Sequence, residues 1–169
     1  LVEAGVPIVT VFWPNDGITN VSVYWDTHNR NFIDLRERLC PVTDRAFSAL
    51  IEDLCQRGRL DDTLLLVTSE MGRKPKIGDP RSGGVSGAGR DHWTHCLTDL
   101  LAGGGIRGGQ TYGASDRFGE YPAIDPVTPA DIAATIVSRF GVDPAHEYRD
   151  PAGRPWRLCE GQPLSGLFA

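Results

Sequence analysis

Residues 41–70, PVTDRAFSALIEDLCQRGRLDDTLLLVTSE, decide the fold. Pro41 suits the first turn of a helix, where a missing N–H removes no hydrogen bond. Phe47, Leu50, Ile51 and Leu54 then recur at helical spacing as one apolar stripe, and Gly58 ends the helix. Residues 63–69, TLLLVTS, form a short continuous apolar run, the clearest buried strand of the chain. Glu70 follows directly at that strand's end.

Working outward, residues 6–12 (VPIVTVF) read as a second buried strand, bounded by Gly5 and by Pro14-Asn15-Asp16-Gly17, with Pro7 near its start. Residues 21–25 read as a shorter strand-like piece that leads into a loop, Asp26-Thr27-His28-Asn29. Leu1–Ala4 reads as the last turn of a helix capped by Gly5, which creates the expectation that the chain starts inside a domain. Downstream, residues 71–90 carry six glycines and two prolines without apolar periodicity, the pattern of a functional or mobile loop. Residues 96–102 read as a strand closed by Gly103-Gly104-Gly105. Thr128-Pro129-Ala130-Asp131 opens a helix with a hydroxyl cap, a first-turn proline and an acid at the third position. Ile132, Ile136, Val137 and Phe140 form its stripe, and Gly141 stops it. Strands alternating with helices argue for an α/β layer with a largely parallel sheet.

Composition narrows the function classes. The chain has 169 residues, 40% of them hydrophobic and 23% charged, with a formal net charge of −5. These values exclude disorder and a basic nucleic-acid binder, and no apolar run reaches the roughly 20 residues of a membrane span. The 20 glycines and 12 prolines point to long loops over a regular frame. Four unevenly spaced cysteines (Cys40, Cys55, Cys96, Cys159) read as scattered small hydrophobes, not a disulfide framework.

Chemistry-bearing side chains gather after the strands, where ligands bind in open α/β sheets. Asp26 and His28 share a loop and offer a hard oxygen and a borderline nitrogen to one divalent cation, as zinc or manganese accepts. The plain alternative is a turn-capping Asp beside a surface His. His92 and His95 lie three apart, one face of a helical turn; Asp91 beside them is a ligand, an orienting partner of an imidazole or a cap. Glu70, at the end of a buried strand, needs solvent, a cation such as Arg73 or a metal. Arg73, Lys74, Lys76 and Arg90 make the adjoining loop basic, which suits phosphate or sulfate, Arg73 being the bidentate donor; a solvated basic loop is the other reading. Trp25 and Trp93 flank these clusters as pocket walls or as core. His146 lies apart from all of them.

In combination, Trp25-Asp26-Thr27-His28 with Asn31-Phe32, Thr68-Ser69-Glu70-Met71-Gly72-Arg73 with Pro75, Gly89-Arg90-Asp91-His92-Trp93, Leu101-Ala102-Gly103-Gly104-Gly105-Ile106 and Arg107-Gly108-Gly109 resemble the DUF1501 family. That is a bacterial group of unknown function related to sulfatases within the alkaline phosphatase superfamily. The likeness runs from Leu1 to about Gly161. It implies a doubly wound α/β domain with helices on both faces of the sheet and a bimetal site at the strand ends. Residues 1–169 would be the C-terminal portion of one such domain, with the first strands, their acids and any nucleophile lying upstream. Asp26 and His28 are similar to the Asp…His pair of the phosphatase branch at shorter spacing, and His92, or else His95, to its late histidine ligand. The sulfatase segment ends in Ser-Asp-His or Ser-Asp-Asn, whereas this chain reads Ser69-Glu70-Met71, so one ligand is replaced.

The resemblance implies a hydrolase of sulfate or phosphate monoesters on a small molecule or glycan, using zinc first, with manganese or calcium as alternatives. The candidate ligands are Asp26, His28, Glu70, Asp91, His92 and His95; Arg73, Arg90 and Lys76 would meet the anion. The alternative is a catalytically degenerate binding or surface-assembly protein, which Met71 favours. The family also implies a periplasmic or otherwise exported location through a twin-arginine signal upstream. Taken alone, the 169 residues are expected to expose apolar strand edges and to aggregate.

Overall fold

The computed structural model describes residues 1–13, 24–78 and 89–168. The chain is mixed α/β. A single 3-10 turn, Val2–Ala4, ends at Gly5 with φ 79°, the left-handed cap expected there. Helix α1 (Asn31–Asp34) continues through a π-helical turn, Leu35–Leu39, into α2 (Cys40–Gln56). Helix α3 is Pro129–Arg139. The strands are β1 (Leu65–Val67), β2 (Gly72–Arg73), β3 (His92–Trp93), β4 (Leu100–Ala102), β5 (Ala114–Ser115), β6 (Pro122–Ile124), β7 (Glu147–Arg149) and β8 (Pro155–Arg157).

The strands pair as β1–β4, β2–β3, β5–β6 and β7–β8, each pair antiparallel. This departs from the largely parallel sheet expected from the alternation of strands and helices. In β1–β4, Leu66 lies opposite Leu101. The chain between these strands returns through the β2–β3 pair without a crossover helix among the described residues, so it re-enters β1 from the opposite direction. Helices on both faces of one sheet are likewise not seen among the described residues. Nor do residues 6–12 form a strand with any described residue: Pro7 sits in a bend, and Ile8 is 68%, Val11 87% and Phe12 82% exposed. Of the strand-like piece 21–25, residues 21–23 lie outside the described residues, and Tyr24 and Trp25 sit in a bend.

Helix α2 ends within a residue of the sequence pattern, and Gly58 (φ 62°) turns the chain out of it. The helical path already begins at Asn31, however, so Pro41 sits inside it and not in its first turn. Leu54 is buried, Phe47 and Ile51 are half-buried, and Leu50 remains 44% exposed. Gly103 (φ 69°) lets the end of β4 lie against the α2–β1 connection. A Cβ there would sit 2.3 Å from the Thr63 carbonyl oxygen and 2.5 Å from that of Leu60.

The capping box at α3 forms as the sequence predicts. The Thr128 hydroxyl accepts the Asp131 N–H at 3.2 Å, and the Asp131 carboxylate accepts the Thr128 N–H at 2.9 Å. The buried face of α3 is rotated from the predicted stripe. Ala134 and Thr135 are inside, Ile132, Ile136 and Val137 are half-buried, and Phe140 is 52% exposed. The segment after β8 causes this rotation. The Leu164 N–H donates to Thr135 Oγ1 at 2.9 Å, and the Gln162 N–H to Asp131 Oδ1 at 2.8 Å. Leu39, Leu54, Ala134 and Leu167 are the fully buried apolar side chains among the described residues. The chain presents 11791 Å² of surface, where a compact monomer of its 18.4 kDa mass would present about 8,200 Å². The apolar side chains of residues 6–12 contribute to that excess. No described helix is long and apolar enough to cross a membrane.

Candidate metal centre

Two pieces of chain build the site. The first is the loop 25–30. Its Thr27 and the first helical residue of α1, Asn31, are each 1% exposed, and the Thr27 hydroxyl donates to Asn31 Oδ1. Arg30 between them takes the left-handed conformation (φ 51°), which costs a non-glycine residue about 1–2 kcal/mol. The turn is tightened by the His28 N–H donating to the Asp26 carbonyl at 2.9 Å. Together these contacts aim the Asp26 and His28 side chains the same way.

The second piece is the β2–β3 pair, in which Arg73 lies opposite His92. Gly72 is required here: a Cβ on it would lie 1.8 Å from the Cys96 carbonyl oxygen. Just beyond the pair, the Lys74 N–H donates to the Asp91 carbonyl at 2.8 Å. The Arg90 N–H donates to the Thr27 carbonyl at 3.2 Å, joining the two pieces.

Asp26 Oδ1 is the meeting point. It lies 2.7 Å from His92 Nε2, 3.0 Å from His28 Nε2 and 3.0 Å from Arg73 Nη1. The two imidazole rings are 4.9 Å apart, centroid to centroid. One ligand atom from each of Asp26, His28 and His92 falls within 4.8 Å of the others. The other nitrogen of His28, Nδ1, faces Asp91 Oδ1 at 3.3 Å. A neutral imidazole has one N–H, so it can donate to one of these carboxylates only. The remaining contact calls for a second proton or for a cation shared by the lone pair and the carboxylate. An imidazole whose second nitrogen meets a carboxylate is the arrangement that orients metal-binding histidines. Burial works to raise the Asp26 pKa, but the hydrogen bonds from His92 and Arg73 and the positive charges of His28 and Arg73 outweigh it. The carboxyl is held below its ordinary 3.8, in the ionised form a cation needs.

Of the six ligand candidates, the structure brings Asp26, His28 and His92 together, with Asp91 behind His28. Glu70 is exposed in the bend after β1 and is not part of the converging set. The His95 ring packs on Trp93 at 4.9 Å and Tyr121 at 5.1 Å, in an aromatic cluster instead. The basic residues take different places from those expected of an anion site. Arg73 donates to Asp26, to the Arg90 carbonyl at 3.2 Å and to the Trp25 carbonyl. Arg90 donates to the Lys74 and Arg73 carbonyls at 2.8 and 3.0 Å, and Lys76 is exposed beyond β2. Both guanidinium groups are therefore engaged with protein oxygens. Burial, and then the neighbouring Arg73 charge, lower the Arg90 pKa from its ordinary value. Sequence reasoning missed the supporting roles of Thr27, Asn31 and Arg73, because spacing does not tell what a hydroxyl, an amide or a guanidinium will bond. All four cysteines are free thiols.

Beside the triad opens a cavity of about 430 Å³, lined by His28, Lys74, Asp91, His92 and Trp93. The fold is thus mixed α/β, with one carboxylate and two imidazoles close enough to share a cation, and both imidazoles also line the pocket. The sequence matches the model of the family described as "Protein of unknown function (DUF1501)" over residues 1–168, and the chain is a member of that family. Neither the curated proteins nor the solved structures compared with the chain match it.

Proposed function

We propose that this chain carries the cation-binding part of a metal-dependent hydrolase of sulfate or phosphate monoesters, related to the sulfatases and set in a doubly wound α/β domain. The observation that supports it is the approach of Asp26, His28 and His92 to within 4.8 Å at the edge of an open cavity, from loops 66 residues apart. The donor set of one carboxylate and two imidazoles fits zinc, and manganese after it; calcium, which takes oxygen ligands almost exclusively, fits less well. Once bound, a divalent cation polarises the ester oxygen and offsets charge on the transferring group. The chain's own residues prepare for it. Asp91 orients His28, Arg73 fixes Asp26, and Lys74 is the cationic residue among those that line the cavity. An exported location accompanies this reading, through the twin-arginine signal that the family resemblance implies.

Elemental analysis of the intact protein, repeated for His92→Ala, is the test. Close to one equivalent of zinc or manganese is expected, with most of it lost in the variant. Metal-free protein, or unchanged content in the variant, refutes the centre. The second reading, a binding or surface-assembly protein without turnover, is favoured by Glu70, which lies outside the triad and is followed by Met71 in place of a ligand. Ester binding by metal-loaded protein without hydrolysis would select it.

A further inference from the structure

We propose that Trp93 is a specificity-determining residue, which makes the cavity beside the triad select anions that carry a ring over bare inorganic or acyclic ones. This rests on the reading of the triad as an ester-binding centre and adds which organic group the ester bears. Among the cavity's lining residues, His28, Asp91, His92 and Lys74 are polar or charged, and Trp93 supplies the aromatic wall. The indole is held in place on several sides. Its Nε1–H donates to the Glu120 carbonyl at 2.6 Å. Its ring meets His95 edge-on at 4.9 Å and Tyr121 at 5.7 Å, and those two rings lie 5.1 Å apart. A side chain fixed in this way gives up little rotamer freedom when a ligand settles on it.

At about 430 Å³ the cavity falls within the roughly 300–1,000 Å³ of small-molecule pockets, more than a bare oxyanion fills. A bare phosphate or sulfate would leave the indole wet. A ring joined to the anion would cover it while its charged end met Lys74 and the triad.

Three non-hydrolysable probes differing only in their organic group test this on the intact protein by calorimetry: methylphosphonate, phenylphosphonate and cyclohexylphosphonate. The ring-bearing probes are expected to bind at least tenfold tighter than methylphosphonate. The tighter of the two rings tells whether the natural group is aryl or saturated. Trp93→Ala is expected to shrink the preference, read as the ratio of ring-bearing to methylphosphonate affinity on the same variant, below threefold. Trp93→Leu, which keeps apolar bulk without a flat face, is expected to do the same and serves if the alanine variant does not fold. Trp93→Phe should restore most of the preference. Equal binding of all three probes, or a preference that survives in Trp93→Leu, overturns the proposal. Repeating the series in EDTA separates it from the metal centre: a ring preference that persists without metal and depends on Trp93 sustains the pocket even where no ion is found.

Discussion

Replacing Arg73 by lysine keeps the charge beside Asp26 and removes the fork. The guanidinium reaches three oxygens: Asp26 Oδ1 at 3.0 Å, the Arg90 carbonyl at 3.2 Å and the Trp25 carbonyl. A lysine ammonium on its flexible stem can hold one of them well. Two hydrogen bonds are lost, each contributing about 0.5–1.5 kcal/mol net. The side chains of Arg73 and Asp26 are 22% and 42% exposed, so water replaces part of what is lost. The lower half of the summed range, about 1–2 kcal/mol, is the better figure. Expressed in the ordering of Asp26, that is about a tenfold loss of zinc affinity, at the low end of the 10–100-fold found when partners that orient ligands are removed. Competition with a chromophoric zinc chelator measures it, and a melt of the metal-free variant shows how much of the cost falls on folding instead. Zinc affinity within twofold of wild type would refute the assignment of Arg73 as the clamp of Asp26. An anion-binding Arg73 would behave differently: Arg73→Lys would weaken phosphate binding and leave zinc affinity alone.

Gly72→Ala forces a Cβ to within 1.8 Å of the Cys96 carbonyl oxygen and 2.9 Å of its carbon, both backbone atoms. A loss of more than about 2 kcal/mol in urea unfolding is expected, with zinc binding lost alongside as His92 moves; an unchanged midpoint would contradict the packing described here. The Asp131 carboxyl is held below its ordinary 3.8 by the Gln162 N–H first, then by Thr128. Its contribution to stability is therefore complete above about pH 4 and is lost as pH falls through the lowered folded value. Asp131→Asn should flatten the acid limb of a melting curve between pH 5 and 2, and Thr128→Ala should cost about 1 kcal/mol at neutral pH; an acid limb identical to wild type would dismiss the cap as a source of acid sensitivity.

The sequence was informative wherever a local rule sufficed. The glycine stop at Gly58 and the Thr128–Asp131 box depend on neighbours within four residues and are where the pattern put them, and of the α2 stripe Leu54 is buried while Leu50 stays exposed. The Asp26-x-His28 pair and His92 were legible as donors by type, and the fold brings them into reach of one another. Strand direction was not legible. TLLLVTS looks alike in a parallel and an antiparallel ladder, and partner choice depends on residues 100–102, far along the chain. The pairs β5–β6 and β7–β8 escaped notice because their residues are exposed on both faces and carry no apolar alternation. VPIVTVF has the composition of a strand, but a ladder needs a second chain segment, and composition does not provide one. Arg73 looked like an anion ligand because a guanidinium on a glycine-rich loop usually has no better offer; here Asp26 and two carbonyls supply one.

Arg73 and Arg90 also bond to each other's backbone: Arg73 Nη1 donates to the Arg90 carbonyl, and Arg90 Nη2 to the Arg73 carbonyl. With the Lys74 N–H on the Asp91 carbonyl, this reciprocal grip ties off the stem of everything between residues 74 and 90. Each doubling of chain length between the two arginines would add only about 0.6 kcal/mol of closure entropy. The register that sets Arg73 opposite His92, and with it the surroundings of Asp26, is therefore held at the stem and does not depend on how long that interval is.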